Sequence, residues 1–263
     1  YHGWHSWHAA TREECPGVPL AMKNLVYQFR YNDLPSLDLA ILDAHPANVT
    51  HGVPEVAAVI LEPTLIEPPA PGFLEGVRAR ATRIGAVLIF DEMVTGFRWH
   101  AGGYQALCGV TPDLATFGKG MGNGYPIAAL VGRADIMQHA RLVSGTFGGD
   151  CIGLAAADAT LARYQAGWEK EARVLVSDCE CREIGCGANE HDDVTAHMWR
   201  LGADIIDGYN ALAGKHGVPT RAVGQAPHPV IRWDEEAEVH VSSPARLVPA
   251  NRHRASLFFQ ELV

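Results

Sequence analysis

No run in the chain approaches the ~18 apolar residues that a membrane span requires. Nor does a basic start lead into an apolar stretch, as a secretory signal would. Positive charge is in deficit: 21 Lys and Arg stand against 30 Asp and Glu, a formal net charge of −9. That argues against nucleic acid or an anionic membrane as the main partner, since both demand a basic surface. Paired cysteines are missing too. Six are scattered with no spacing that calls for a disulfide framework. Cys179, Cys181 and Cys186 cluster, with His191 close behind. Structural zinc sites present paired thiols at C-x2-4-C spacing, whereas here the first gap is a single residue and no second pair follows. Reduced thiols of a cytoplasmic protein are the better reading. No G-x-G-x-x-G follows a strand, which disfavours a nicotinamide-dependent oxidoreductase. What remains is the expectation of a soluble globular protein, 263 residues and 48% hydrophobic, able to bury one sizeable core or two modest ones.

An initiating Met is also absent. Tyr1-His2-Gly3-Trp4-His5 reads as the middle of a longer chain, and Ser256 to Val263 as an amphipathic helix cut while still running. The expectation is a chain truncated at both ends.

From about Glu55 the pattern alternates strand, helix, strand. Ala57 to Leu61 and Ala86 to Phe90 are short, wholly apolar runs, the form of strands buried on both faces of a parallel sheet. Between them Phe73, Leu74, Val77 and Ala81 recur at helical spacing. Weaker strands are expected at Asp113 to Phe117 and Ile127 to Val131. The class is therefore α/β with a mainly parallel sheet. Leu154 to Gln165 and Val194 to Leu212 read as helices. Pro227 to Trp233 reads as a strand of a smaller C-terminal domain, and Glu235 to Arg254, broken by Pro244 and Pro249, as a loop. The expected division is 1–160 for a large domain and 161–263 for a linking helix and a partial small domain. Residues 167–193 are expected to form an insertion or irregular loop.

Charge falls where chemistry is expected. Glu62 follows the first buried run, Asp91 and Glu92 the second, and Lys119 the third. Ligands of open α/β sheets bind in the crevice beyond the carboxyl ends of the strands, so these side chains aim at one site. A desolvated Lys can attack a carbonyl. A carboxylate can keep the pyridine nitrogen of pyridoxal phosphate protonated, so that the ring accepts electrons. A buried Asp–Lys ion pair without chemistry is the competing account. His2, His5 and His8 recur every three residues, but no carboxylate completes an obvious metal site. Arg98 either binds a carboxylate or satisfies a helix end.

The motif wording goes further. Asp91-Glu92-Met93-Val94-Thr95-Gly96-Phe97-Arg98, Pro112-Asp113-Leu114, Gly118-Lys119-Gly120 and Gly124-Tyr125-Pro126-Ile127-Ala128-Ala129 stand in an order that resembles the class III (ω-type) aminotransferases. Within these the chain looks most similar to the glutamate-1-semialdehyde aminomutase group and its aminotransferase relatives. Tyr1 to His5, Tyr31-Asn32-Asp33, Glu62-Pro63 and Gly145 to Gly149 fit the same order.

This resemblance implies a fold type I pyridoxal-phosphate-dependent transferase, aspartate aminotransferase-like, with part of a small α+β C-terminal domain. It implies that Lys119 carries pyridoxal 5'-phosphate as a Schiff base and moves the proton of the 1,3-shift. Asp91 would pair with the pyridinium nitrogen, and Met93 would pack on one ring face, where the family more often has Val. Tyr1 would stack on the other face with His2 beside it. Thr146 would hydrogen-bond the cofactor phosphate, usually the neighbouring subunit's, which makes the expected assembly a homodimer with shared active sites. Glu62 would lie near the substrate amine or the cofactor's oxygen. The implied substrates are a small amino donor and a keto or aldehyde acceptor. The alternatives are an aminomutase, with both half-reactions on one carbon skeleton, and a catalytically silent fragment. In the family, the phosphate-cradling Gly-Ser/Thr loop lies upstream of Tyr1, and a carboxylate-binding Arg commonly lies beyond Val263.

Overall fold

A computed structural model of the chain describes residues 17–44, 56–140, 145–174 and 194–233, with the side chains of 166–174 left aside. Tyr1, His2, His5, His8, the Cys179–His191 cluster and the stretches 235–254 and 256–263 lie outside the described residues.

Two short helices, α1 (Leu20–Lys23) and α2 (Leu34–Asp43), precede the sheet. Asp33 caps α2 by accepting the Ser36 N–H at 3.0 Å, as N-cap acids do. The sheet holds β1 (Ala58–Leu61), β2 (Val87–Asp91), β3 (Leu114–Phe117) and β4 (Ala129–Gly132), in that spatial order. The first three are parallel, with Leu61 opposite Phe90 and Phe90 opposite Ala115; β4 runs antiparallel, with Ala129 opposite Phe117. The expected mainly parallel sheet is thus present, with one reversed strand.

Between β1 and β2, α3 (Phe73–Ile84) packs its apolar stripe on the sheet. Phe73, Leu74, Val77 and Ala81 join Leu37, Ile41, Val59, Leu61, Leu88 and Phe90 in the main core. After α4 (Tyr104–Cys108), Asp113 introduces β3. Its Oδ2 accepts the Leu88 N–H and Arg78 Nη1, both at 2.8 Å, and its Oδ1 accepts Arg133 Nη1 at 3.0 Å. One buried carboxylate thereby ties β2, α3 and the end of β4 together. A second, smaller cluster forms where Ala157 of α6 (Cys151–Val174) meets Ala115, Phe117 and Met121.

Helix α6 corrects one expectation. It continues to Val174, so the first eight residues of the stretch 167–193 are helical, and the rest of that stretch is outside the described residues. A four-residue helix, α5 (Ala134–Met137), precedes α6. Helix α7 (Val194–His216) then packs on an antiparallel pair, β5 (Arg221–Val223) and β6 (Val230–Arg232). The expected strand at Pro227 to Trp233 is shortened because Gly224 to Pro229 form the connection. Among the described residues no helix is long and apolar enough to cross a membrane.

Candidate functional site

Successive side chains of a strand point to opposite faces, and the end of β2 shows the consequence. Asp91, 7% exposed, accepts the Met93 N–H at 2.9 Å and the Thr116 hydroxyl at 3.2 Å, both on Oδ1. Its Oδ2 has no hydrogen-bond partner among the described residues. Glu92 turns the other way and is fully buried. Its Oε2 accepts the Thr95 hydroxyl and the Tyr104 N–H (2.9 Å), and its Oε1 accepts the Gln105 N–H (3.0 Å). Burial pushes its carboxyl pKa up, against the pull of those donors. Glu92 braces the loop from 92 to 105; it is not a second acid in the crevice, as its place at the strand end had suggested.

Lys119 begins a 3-10 turn, Lys119–Met121, directly beyond β3. Its φ of 44° is left-handed, which costs a non-glycine residue roughly 1–2 kcal/mol. Neighbouring contacts hold it there. Gly118 has extended backbone, and a Cβ on it would meet Met93 Sδ at 2.6 Å. A Cβ on Gly96 would strike the Phe117 ring, and one on Gly120 would lie 3.5 Å from Phe97 Cβ. The turn after β2 and the turn after β3 therefore interlock, with Met93 against the backbone that precedes Lys119. The Lys119 side chain is exposed, and its ammonium makes no hydrogen bond or ion pair among the described residues. The desolvation expected at this amine is not supplied by those residues.

The turn after β2 also anchors the C-terminal part. Phe97 (φ 60°) is held between the rings of Phe117 and Tyr164, at 5.5 and 5.4 Å. Arg98 Nε donates to the Pro227 carbonyl, which resolves the choice left open by the sequence only in part: one nitrogen satisfies a backbone oxygen, though not that of a helix end. Trp99 is buried, and its Nε1 donates to Gln225 Oε1 at 3.0 Å. Gln225 Nε2 donates in turn to Thr64 Oγ1 at 2.5 Å. Trp199 of α7 donates to the Trp99 carbonyl at 3.0 Å. His228 stacks on Trp99 with centroids 6.1 Å apart and planes at 21°. The His228 Nδ1 is buried without a hydrogen-bond partner among the described residues. Burial first, then the charges of Arg98 and Lys119, lower its pKa.

Of the expected site residues, Asp91, Met93 and Lys119 are brought to two touching turns. Glu62 follows β1, the neighbouring strand, and is half-buried. Thr146 stands exposed in a turn at 146–149 and makes no hydrogen bond among the described residues. Gln225, His228, Trp99 and Thr64 were not anticipated. Their roles come from contacts across 126–161 positions of sequence, which no local pattern announces.

Acid and amine at the carboxyl ends of adjacent parallel strands are the layout of an α/β enzyme with its ligand in the strand-end crevice. Residues 5–177 match the model of the family described as aminotransferase class-III, and the chain belongs to that family. It is 42% identical over 170 residues to the 3-aminobutyryl-CoA aminotransferase of Cloacimonas acidaminovorans, covering 61% of this chain and 38% of that protein. Over 186 residues it is 38% identical to the glutamate-1-semialdehyde 2,1-aminomutase of Syntrophomonas wolfei, covering 67% and 41%. Among solved structures, the PLP internal aldimine form of the FumI protein of Sphingopyxis sp. matches with TM-score 0.67 and 25% identity, over 89% of this chain and 50% of that one. The β-phenylalanine aminotransferase of Variovorax paradoxus matches with TM-score 0.60 and 27% identity, over 88% and 48%. The fold is that of the PLP-dependent transaminases. The chain spans about two fifths of the curated relatives it matches and about half of these structures.

Proposed function

We propose that the protein is a pyridoxal-phosphate-dependent aminotransferase, moving an amino group between a small amino donor and a keto or aldehyde acceptor. The observation that carries this reading is the interlocking of two strand-end turns, which sets Asp91, with one carboxylate oxygen open, beside the turn that presents the unpaired amine of Lys119. That pair fits the cofactor's needs: a carboxylate for a ring nitrogen and an amine for a carbonyl carbon.

Pyridoxal phosphate, when bound, supplies a ring that takes up the electron pair left by removal of a substrate proton. Asp91 Oδ2 would hold the proton on the ring nitrogen. Lys119 would carry the cofactor and then move the substrate proton at its Nζ. Met93 would pack on one face of the ring, Tyr1 on the other, with His2 beside it. Thr146 would donate its hydroxyl to the phosphate of the partner subunit's cofactor, and Glu62 would lie near the substrate amine. The same reading makes the protein a cytoplasmic homodimer with shared sites, divided near residue 160 into large and small domains.

Borohydride treatment of the chain with added cofactor tests this. Peptide mass spectrometry should find the reduced cofactor on the Lys119 peptide, and Lys119→Ala should abolish the label while circular dichroism is unchanged. An unlabelled wild type would instead support the silent-fragment reading. The second reading, an aminomutase, draws on the likeness to the Syntrophomonas protein. An aminotransferase turns over only with an added keto or aldehyde acceptor, whereas an aminomutase needs none.

A further inference from the structure

Two buried polar side chains on different strand-end loops share one bridge. Trp99, in the turn after β2, is 1% exposed, and Thr64, three residues beyond the end of β1, is 0% exposed. Neither can turn to water, so each depends on a partner inside the protein. Both find it in the side-chain amide of Gln225, on the connection between β5 and β6. Trp99 Nε1 donates to its Oε1 at 3.0 Å, and its Nε2 donates to Thr64 Oγ1 at 2.5 Å. The chemistry leaves this chain of bonds one direction. An indole N–H only donates, so the amide oxygen must face Trp99 and the amide nitrogen Thr64. Thr64 then donates its own proton to the Glu67 carbonyl at 3.1 Å.

Trp99 is joined in turn to the crevice. Its N–H and that of Arg98 donate to the Thr95 carbonyl at 3.1 and 3.2 Å, and the Gly96 N–H donates to the Glu92 carbonyl at 2.8 Å. Residues 92–99 therefore form one hydrogen-bonded unit. Within it Phe97 lies against the Phe117 ring, and a Cβ on Gly120 would lie 3.5 Å from Phe97 Cβ. Those two neighbours bracket Lys119 in the chain. We infer that Gln225 is a positioning residue: its amide holds the 92–99 turn to the loop after β1 and, through Phe97, sets the turn that presents Lys119. What that turn is for rests on the amino-transfer reading; the contacts that set it need no cofactor.

Hydrogen–deuterium exchange of the full chain without cofactor reads both turns directly. Gln225→Met keeps the length of the side chain and removes both bonds. Exchange should rise about 10-fold in peptides covering 92–99 and 118–122, the scale of a buried group left without its hydrogen bond. Peptides covering β1 should stay protected as in wild type. No change, faster exchange confined to 62–67 and 221–225, or an even rise through the sheet overturns the inference. Gln225→Glu supplies a readout that general loosening would not move, and it carries the test should Gln225→Met not fold. Its carboxylate has no proton for Thr64, and taking the Thr64 proton strips the Glu67 carbonyl. Its protonated acid restores donor and acceptor together. Protection of 118–122 relative to wild type at the same pH should therefore be close to equal at acid pH and fall about 10-fold as the carboxyl ionises. His228 and Arg98, which adjoin Trp99, are present in both proteins and cancel in that ratio. A ratio flat with pH overturns the inference. Borohydride labelling with added cofactor separates the two readings: labelling of Lys119 without coupled exchange removes the role of Gln225 alone, and coupled exchange without labelling removes the amino-transfer reading alone.

Discussion

At the scale of single residues, alternation along a strand decides to which side each of two neighbouring buried carboxylates turns. Asp91 keeps one oxygen without a hydrogen-bond partner among the described residues, while Glu92 is carried into the interior and must find donors there. It finds three, from Thr95, Tyr104 and Gln105. Burial still outweighs them, and the carboxyl pKa is raised in the folded protein. The folded state therefore binds a proton more tightly than the unfolded chain does. The stability this contributes is full below the unfolded value of about 4.3 and is lost as pH rises through the folded one. Glu92→Gln removes the titration, and its amide also turns an N–H toward a backbone N–H donor. The variant should be less stable by about 1–3 kcal/mol. Thermal melts across a pH series should show the gap to wild type widest at acid pH and narrowing as pH rises. A gap that widens with pH would reverse the assigned bias.

At the scale of elements, the site depends on two turns approaching more closely than side chains at 96 and 118 would allow. Gly118 needs no special φ; it is there because a methyl group would collide with Met93 Sδ. Gly118→Ala should destabilise the protein by about 1 kcal/mol at most, the low end of overpacking, because the thioether it meets is flexible and can shift. It should also lower borohydride labelling of Lys119, and a second change, Met93→Ala, should recover much of both. Denaturant melts of the two single variants and the double variant measure the coupling; simple additivity would show that the contact does not set the turn.

Such packing marks where the sequence stops being informative. Strands β1 to β3 and helix α3 were legible because wholly apolar runs and helical spacing are local signals. So was the placement of Asp91 at the end of β2 and of Lys119 just past β3. The reversal of β4 depends on which edge the chain returns along, and the inward turn of Glu92 on strand phase. The reach of Gln225 to Trp99 and Thr64 depends on a fold 126–161 residues wide. None of these leaves a mark within a window of ten residues.

At the scale of the whole molecule, the bonds that fasten the C-terminal part to the sheet include Gln225 to Trp99 and Thr64, Arg98 to the Pro227 carbonyl, and Trp199 to the Trp99 carbonyl. Three of these four bonds reach Arg98 or Trp99 in the turn that follows Asp91, and the fourth reaches Thr64 just beyond β1. The opposite situation holds at the start of α6. There Phe147 and Ile152 are 57% and 62% exposed, and Tyr125 and Leu154 are exposed beside them. The approach of Gly153 to Pro126, where an added Cβ would lie 3.2 Å from the Pro126 carbonyl oxygen, places this apolar surface next to the stretch that follows Lys119. Large exposed apolar residues gathered in this way mark a contact surface, and Thr146 stands among them, where a residue serving a partner's cofactor would have to be. The proposed homodimer should therefore close over this face. Light scattering should give twice the chain mass. Ile152→Asp should shift the mass to that of one chain without changing the circular dichroism, because Ile152 is largely exposed among the described residues. The variant should also lose cofactor, since a site built from two subunits weakens when they part. A wild type that is monomeric yet binds cofactor tightly would remove both the dimer and the role proposed for Thr146.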